Sequence, residues 1–305
     1  MKLIVYFASI LLFFGCNNSK QNSEEPIIID FSKQNFGQEQ FSKTDSIQKL
    51  KVAVSAIITP QETYIYYRDL FDYISKELNY KVEFKQRKTY EEANNLLANN
   101  EVDLAFICSL AYVIAKEKNT VELLAMPLFN GKPFYQAYII VHKSSNIENF
   151  QQLKAKSFAY TDPLSNTGKL YALKRIKELG FDLDTYFNKT MYSNAHDASI
   201  QLVAKKIVDG ATVDGLIFEY LAKHHPEKVK NIKVIEKSEE YGIPPVVVSK
   251  SIDAVTKQKL KNIFLNIHND STGKQILSKL MIDKFIEGND ANYNSIRKNL
   301  EVIKR

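Results

Sequence analysis

From Lys49 onward the chain alternates short β-rich runs with longer runs of helical periodicity, and this alternation limits the fold more than any other feature. Lys49-Leu50-Lys51-Val52-Ala53-Val54 reads as a strand. Pro60-Gln61-Glu62-Thr63 opens a helix whose apolar positions Ile65, Leu70, Tyr73, Ile74 and Leu78 fall near helical spacing. Val82-Glu83-Phe84 is a second strand. Thr89-Tyr90-Glu91-Glu92 has the capping-box pattern, Thr then Glu three residues on, ahead of Leu96-Leu97. Leu104-Ala105-Phe106-Ile107 is a buried-type strand, and a helix follows from about Leu110. Val121 to Leu128 and Tyr135 to Val141 are two more strands.

A second alternating set begins at Ser157-Phe158-Ala159-Tyr160. Ser165 to Leu179 is a helix stopped by Gly180, a C-terminal glycine cap. Thr190 to Tyr192 is a strand, Ala195 to Val208 a helix, and Val213 to Phe218, Ile232 to Ile235 and Val246 to Val248 are further strands. Three helices close the chain, from about Asp253, Ser271 and Asn292. Alternating strand and helix predicts parallel sheets covered on both faces. Two such sets predict two α/β lobes, with crossings near Tyr138–Val141 and Val246–Ser249 and the closing helices returning to the first lobe. Lobe 1 is then 48–141 with 249–305, and lobe 2 is 142–248. A body of about 260 residues is comfortable for two lobes.

The N-terminus places the chain in a compartment. Met1-Lys2 is a short basic start, and Leu3 to Phe14 is an apolar run too short to span a bilayer but suited to a signal-peptide core. It ends in Phe13-Phe14-Gly15-Cys16. A small residue before Cys at that place resembles the bacterial lipobox, which implies a signal over 1–15 and lipid on Cys16. Phe13 stands where Leu is usual, and a plain secretory signal that contains a Cys is the other reading. Residues 16–47, polar and rich in Asn, Ser, Gln and Lys, read as a tether. Ile27-Ile28-Ile29 interrupts that tether with a run able to dock.

The chain carries a formal +6. Without the signal, and with three lysines against five acids in the tether, the body stands near +7. That suits an anionic ligand, though a solvated basic face gives the same sum. No dense Lys/Arg stripe with interleaved aromatics occurs, which argues against nucleic acid. There are two cysteines. With Cys16 lipidated, Cys108 has no disulfide partner.

The sharpest chemical signal is Thr161-Asp162-Pro163-Leu164-Ser165-Asn166-Thr167-Gly168, which follows a strand and opens a helix. A helix start leaves backbone N–H groups unpaired at its positive end. Hydroxyls at Ser165 and Thr167 add donors, and Gly168 allows close approach, so the segment reads as an anion cradle. An ordinary N-cap at Ser165 explains the same residues.

The segment resembles the ligand loop of the phosphate/phosphite/phosphonate-binding proteins of ABC transporters, with Asn166 where many members have Thr. Four further segments extend the resemblance. Ser55 to Tyr67 resembles the family's first turn and helix, whose aromatic, here Tyr64, faces the cleft. Val102 to Tyr112 resembles its second signature strand and turn, with Phe106, Cys108 and Ser109 at the ligand. Asn194-Ala195-His196 resembles the segment whose His reaches the oxyanion. Val213-Asp214-Gly215 to Glu219 resembles the strand end that carries an acid, here Glu219, toward the ligand, and Ile243-Pro244-Pro245 resembles the return crossing. The resemblance implies an α/β, two-lobed periplasmic-binding-protein type 2 fold with two crossing segments and the ligand between the lobes. It implies a monomer that needs no cofactor, holds no metal, and hands a phosphonate, phosphite or phosphate to an ABC permease and its ATPase.

His196 reads equally as a cap and as a donor to an anion. Glu219 would repel a dianion unless the ligand carries an amine or a protonated oxygen. Cys108 reads as a small buried hydrophobe or as a soft ligand, since relatives of the family sense arsenite. His224-His225, before Pro226, lacks further ligands at metal spacing and reads as a solvated loop. A sensor reporting to a membrane histidine kinase is the rival within the binding class. An enzyme on the same fold is the rival outside it. No Ser-His-Asp set, paired acids or nucleotide-type glycine loop supports the enzyme. The location implied is a bacterial membrane, with the protein facing the periplasm or exterior.

Overall fold

A computed structural model describes residues 28–29, 48–55, 57 and 59–304, with the side chains of residues 28, 29, 60–62 and 64 left out. The expected signal, Cys16, the rest of the tether and the Tyr64 side chain lie outside the described residues. In chain order the first elements are β1 (Ile28–Ile29), β2 (Lys49–Val54), α1 (Pro60–Leu78), β3 (Lys81–Gln86), α2 (Tyr90–Ala98), β4 (Leu104–Phe106), α3 (Ser109–Glu117) and β5 (Val121–Pro127). Then come β6 (Phe134–Tyr135), β7 (Ala137–His142), β8 (Ser157–Tyr160), α4 (Tyr171–Glu178), β9 (Lys189–Tyr192), α5 (His196–Ala204), β10 (Gly210–Asp214), α6 (Gly215–His224), α7 (Pro226–Val229) and β11 (Ile232–Lys237). The chain returns through β12 (Tyr241–Gly242) and β13 (Val246–Ser249) to α8 (Ala254–Asn266), α9 (Ser271–Lys279), β14 (Phe285–Glu287) and α10 (Asn294–Lys304).

Lobe 1 is built on a seven-stranded sheet, β1-β3-β2-β4-β13-β5-β14, and lobe 2 on a five-stranded sheet, β11-β7-β10-β8-β9. Side chains alternate across a strand. Val52 and Val54 of β2 therefore face α1, α8 and α9, where they meet Leu70, Ile74 and Phe264. Ala53 faces the other way, into a cluster with Leu96 and Leu97 of α2 and Leu110 and Val113 of α3. Ile65, expected on the buried stripe of α1, is 57% exposed; the buried stripe runs through Leu70, Phe71, Ile74 and Leu78. The run at Ile28–Ile29 does dock: it adds antiparallel to the edge strand β3, opposite Lys85 and Phe84.

The sheets are mixed, not parallel. β2, β3 and β4 run parallel, whereas β13 is antiparallel to β4 and β5, and β7 is antiparallel to β10 and β11. The reason is the crossing itself, because a chain that leaves one sheet and enters the other arrives reversed. Tyr138–Val141, expected as a crossing, lies in β7 and is buried inside the lobe 2 sheet. Its unbroken apolar run is the signature of a strand covered on both faces. Residues 128–136 and 238–245 make the crossings instead, and β6 and β12 pair there as a two-stranded ribbon. Likewise Val246–Ser249 is a strand of lobe 1. The strand expected over Val213 to Phe218 ends at Asp214, whose side chain accepts from Leu216 N–H and starts α6. The helix expected to reach Val208 ends at Ala204.

Of the closing helices, α8 and α9 cover lobe 1, but α10 packs against α4 of lobe 2 and α3 of lobe 1. Tyr293 donates to the Ile243 carbonyl at 2.8 Å, and Asn299 donates to the Tyr241 hydroxyl at 3.2 Å. The last helix thus braces the return crossing.

The capping box at Thr89 is present in full: the Thr89 hydroxyl accepts from Glu92 N–H, and Glu92 Oε2 accepts from Thr89 N–H, both at 3.2 Å. It fixes the start of α2, which carries Tyr90. Thr89→Ala should cost about 1 kcal/mol. Thermal melts should show a drop of roughly 2–4 °C for a chain of this size. An unchanged melting temperature would mean the box contributes nothing to the fold.

Candidate functional site

The ends of β2 and β4 in lobe 1 face the ends of β8 and β10 in lobe 2. Open α/β sheets bind ligands at such strand ends. The lobes meet there through hydrogen bonds. Thr59 N–H and Oγ1 donate to the two carboxylate oxygens of Asp197 at 3.0 and 2.8 Å. His196 N–H donates to the Ile57 carbonyl at 3.0 Å. Tyr90 N–H donates to Asp162 Oδ2 at 3.1 Å, while Leu164 N–H donates to Asp162 Oδ1 at 2.7 Å. Above them the ring of Tyr66 from α1 packs edge-on against Tyr220 from α6, centroids 4.9 Å apart. The two lobes are closed on each other.

His196 lies at the centre of this interface and is 1% exposed. Asp214 N–H points at its Nδ1 at 3.0 Å. A backbone N–H only donates, so Nδ1 must accept and the ring proton sits on Nε2. Nε2 in turn lies 3.4 Å from the Tyr90 hydroxyl, across the lobe boundary. Burial lowers the His196 pKa to about 3, so the ring is neutral. A neutral Nε2–H is still a donor aimed at the cleft.

The expected loop forms as a capped helix start. Ser165 is the N-cap, and its hydroxyl accepts from Gly168 N–H at 2.9 Å. Asn166–Leu170 is a π-helical turn that runs into α4, and π-turns recur at functional sites. Ser165, Asn166 and Thr167 are fully buried. Among the described residues, Asn166 Oδ1 and Thr167 Oγ1 have no hydrogen-bond partner, and neither does Ser55 Oγ at the end of β2. Buried polar atoms without partners are costly, so three of them on facing strand and helix ends mark a place where polar atoms of a ligand fit. The Asn166 amide also donates to the Tyr135 hydroxyl at 3.3 Å, bringing β6 of the first crossing into the site.

Two expected residues have other duties. Gly168 faces its own chain, since a Cβ there would sit 2.5 Å from Thr161 Cβ and Oγ1 and 2.7 Å from Ser165 Oγ. Its bareness lets the helix start pack on the end of β8, and its N–H is held by Ser165, so the close approach is internal. Glu219 does not line the cavity that Asp214 lines, but a neighbouring groove with Tyr138, Phe129 and Met281. It accepts from the Tyr138 hydroxyl at 2.9 Å, and Lys237 lies 3.9 Å away. Reading the strand through to Phe218 displaced the acid. With α6 starting at Gly215, Glu219 sits more than a turn along the helix, and the acid at the strand end is Asp214.

Asp214 is 3% exposed, and burial raises its pKa to about 7. It lines an interlobe cavity of about 90 Å³ together with Ser55, Tyr66, Tyr67, Phe106 and Tyr220. Ser109 donates to the Gly242 carbonyl at 2.6 Å and so pins the return crossing. Phe106 packs on Tyr67, Phe71 and Phe264 and faces the cavity. Cys108 is the buried residue before α3. Its thiol is pushed up to about 11, first by burial, against backbone N–H bonds from Asn166 and Leu110 that lower it. Tyr90, Tyr135, Thr161, Ser55 and Asp214 were not singled out from the sequence as site residues. Tyr90 was visible only as part of a capping box, and Asp214 only as part of a strand.

The charge states make a prediction for the ligand-free protein. His196 titrates near 3 when folded, below its ordinary 6.5, so the unfolded chain holds the extra proton and stability rises from about pH 3 to 6.5. Asp214 titrates near 7 when folded, above its ordinary 3.8, so the folded chain holds the extra proton and stability falls from about pH 4 to 7. The two slopes oppose each other between about pH 4 and 6.5. Asp214→Asn should leave the histidine slope, with a melting temperature that climbs with pH more steeply than wild type. His196→Gln should leave the aspartate slope and reverse the trend. Superimposable melting-versus-pH curves for the three proteins would refute the assigned charge states.

A family model described as "ABC transporter, phosphonate, periplasmic substrate-binding protein" matches residues 52–293. The phosphonates-binding periplasmic protein of Escherichia coli is 30% identical over 209 residues, which cover 65% of this chain and 60% of that protein. The chain therefore spans less than two thirds of that relative's length. A probable ABC transporter phosphite-binding protein of Prochlorococcus marinus is 23% identical over 244 residues, 76% of this chain and 80% of that protein. Among solved structures, a binding protein component of an ABC phosphonate transporter from Pseudomonas aeruginosa superposes with a TM-score of 0.80 at 23% identity, covering 85% of this chain and 87% of the other. The Prochlorococcus marinus protein in complex with methylphosphonate gives a TM-score of 0.76 at 21% identity, covering 84% and 98%. These structural likenesses establish the type 2 periplasmic-binding-protein fold.

Proposed function

The chain belongs to the periplasmic phosphonate substrate-binding proteins of ABC transporters, and from that premise we propose that it captures an aminoalkylphosphonate between its lobes and delivers it to an importer. The observation that carries the ligand reading is the pairing of unsatisfied donors and acceptors with a nearby buried acid. The phosphonate end is served by His196 Nε2–H, the Tyr90 hydroxyl and the Thr167 hydroxyl, with Ser55, Asn166 and Tyr135 around them. All are neutral groups, and preorganised neutral dipoles in a dry site hold an anion well.

Asp214 supplies the other half. Its N–H meets His196 Nδ1, its Oδ1 accepts from Leu216 N–H, and the residue lines the cavity. Only burial and hydrogen bonds from Leu216 and Ile217 N–H act on it, with no cation among the causes of its shift. An ammonium on the ligand would return it to its charged form and offset the repulsion of a phosphonate. Phosphate and phosphite carry no such group. The arsenite-sensing alternative gains no support from Cys108, because its thiol is protonated and already engaged with backbone N–H groups.

In this reading the chain performs no covalent chemistry. It closes like a hinge about residues 128–136 and 238–245, and the closed form is the one presented to a permease and ATPase. Lipid on Cys16 would keep it at a bacterial membrane, as its lipobox-like context suggests.

Calorimetry should show 2-aminoethylphosphonate binding more tightly than methylphosphonate, phosphite or phosphate. A hydrogen bond to a charged group is worth about 1.5–3 kcal/mol. Thr167→Ala should therefore weaken every phosphonate roughly tenfold to a hundredfold, with Thr167→Ser recovering most of the loss. Asp214→Asn should remove the preference for the aminated ligand and spare methylphosphonate. Wild type that binds none of these anions, or a Thr167→Ala protein that binds like wild type, would disprove the reading.

The anchor has its own test. Wild-type protein expressed in a bacterial host should take up labelled fatty acid, and Cys16→Ala should not. Label persisting on the Cys16→Ala protein would rule the assignment out.

A further inference from the structure

We propose that the interlobe cavity beyond Asp214 is an apolar subsite for an alkyl group on the ligand's amine-bearing carbon, so that the protein favours branched aminoalkylphosphonates over 2-aminoethylphosphonate itself. This rests on the aminoalkylphosphonate reading of the site and extends it to the identity of the substituent.

Ser55 and Asp214 form a polar rim, and the tyrosines Tyr66, Tyr67 and Tyr220 stand beside it. The rim adjoins the anion groups: Asp214 N–H meets His196 Nδ1, and the Ile57 carbonyl, two residues from Ser55, takes His196 N–H. The far walls are carbon, from Phe106, Ile243, Pro245, Leu280, Ile282 and Phe285. Tyr66 would bring a hydroxyl to this space, but that hydroxyl donates to the Leu280 carbonyl at 2.9 Å. The rim alone accounts for an ammonium group. The rest is mostly carbon, and apolar cavities are filled by apolar groups.

The wall that closes the cavity is built at a cost. Met281 follows α9 with φ +55°, a left-handed conformation that helix ends usually assign to glycine. Ile282 N–H reaches back to the Leu277 carbonyl at 2.9 Å and Met281 N–H to the Ser278 carbonyl at 3.2 Å, which completes the cap. Glycine would relieve the strain and remove a wall, whereas here Leu280, Met281 and Ile282 all line the cavity. Other helix ends of this chain, at Asn79, Asn100, Asn119 and Lys206, also use a left-handed non-glycine residue, and here that turn sets three apolar side chains in the cavity wall.

The volume sets the size of the group. A cavity of about 150 Å³ holds benzene. One of about 90 Å³ then takes roughly three or four carbons, a short alkyl chain and not an aromatic ring.

The test is a calorimetric series on the full chain: 2-aminoethyl-, 2-aminopropyl-, 2-aminobutyl- and 2-aminopentylphosphonate, with methylphosphonate and phosphite as references. Each added carbon should tighten binding by about fourfold. Ile282→Phe, which fills the cavity, should abolish that gain and leave 2-aminoethylphosphonate within about twofold of wild type. Should that protein melt far below wild type, the wild-type series decides alone. Binding of 2-aminoethylphosphonate with no gain, or a loss, on going to 2-aminopropylphosphonate would overturn the subsite and leave the proposed function standing. A full gain in a folded Ile282→Phe protein would also overturn it, by placing the alkyl group elsewhere. Failure of the whole panel, references included, would defeat the subsite and the aminoalkylphosphonate reading together.

Discussion

The imidazole of His196 is the contact on which the closed structure depends. Its backbone N–H holds the Ile57 carbonyl of lobe 1, its Nδ1 takes the Asp214 N–H at the end of β10, and its Nε2 faces the Tyr90 hydroxyl. A charged ring could not do this, because protonated Nδ1 would confront a backbone donor. Burial and the Asp214 N–H therefore act in the same direction, keeping the ring neutral with its one proton toward the cleft. From this follow the order of the strand ends around it, the seat of Tyr90 at the start of α2, and the position of Asp214 as a helix cap.

Around that ring the site is built from groups that are satisfied on one side only. Asp162 accepts one N–H from its own turn and one from Tyr90 of the other lobe. Ser165 and Thr161 are occupied within lobe 2, while Ser55, Asn166 and Thr167 keep unpaired atoms. Closing the lobes without ligand buries those atoms at a cost of about 1–3 kcal/mol each. Closing them on a ligand whose polar atoms match recovers it. That difference is what lets a ligand shift a hinge equilibrium, since a ligand moves such an equilibrium only as far as its differential affinity for the two states.

The local signals of the sequence translated directly into structure. The Thr89 box, the Ser165 cap and the Gly180 stop all lie where their side-chain chemistry requires them, with Gly180 at φ +75°. The two-lobed plan was legible for the same reason, because periodicity reports burial. Strand direction was not legible. Whether β7 runs with or against β10 depends on where the chain crosses, and the apolar run at Tyr138–Val141 looks the same in a crossing and in a covered strand. The candidate site was half legible as a cluster. Ser165, Asn166, Thr167 and His196 announce themselves by residue type beside a helix start. Tyr90, Tyr135 and Ser55 are distant in sequence and join the cluster only once the lobes meet. Asp214 was hidden by its own cap, since Val213-Asp214-Gly215-Leu216-Ile217-Phe218 is as apolar as a strand and only the Asp214 carboxyl on Leu216 N–H turns it into a helix.

Cys108 shows how closely packing and recognition are joined here. It precedes α3 without capping it by a side-chain oxygen, and its sulfur takes N–H groups from Leu110 of its own helix and from Asn166 of the opposite one. The thiol is thus a soft acceptor at the junction of two helix starts, one from each lobe. Both starts present positive ends to the same place. Burial opposes a thiolate there and holds the proton on sulfur. A serine would put a hydroxyl, a stronger donor and acceptor, at that point. The thiol is small and neutral, so it fills the space where the two helix starts converge and adds no charge there.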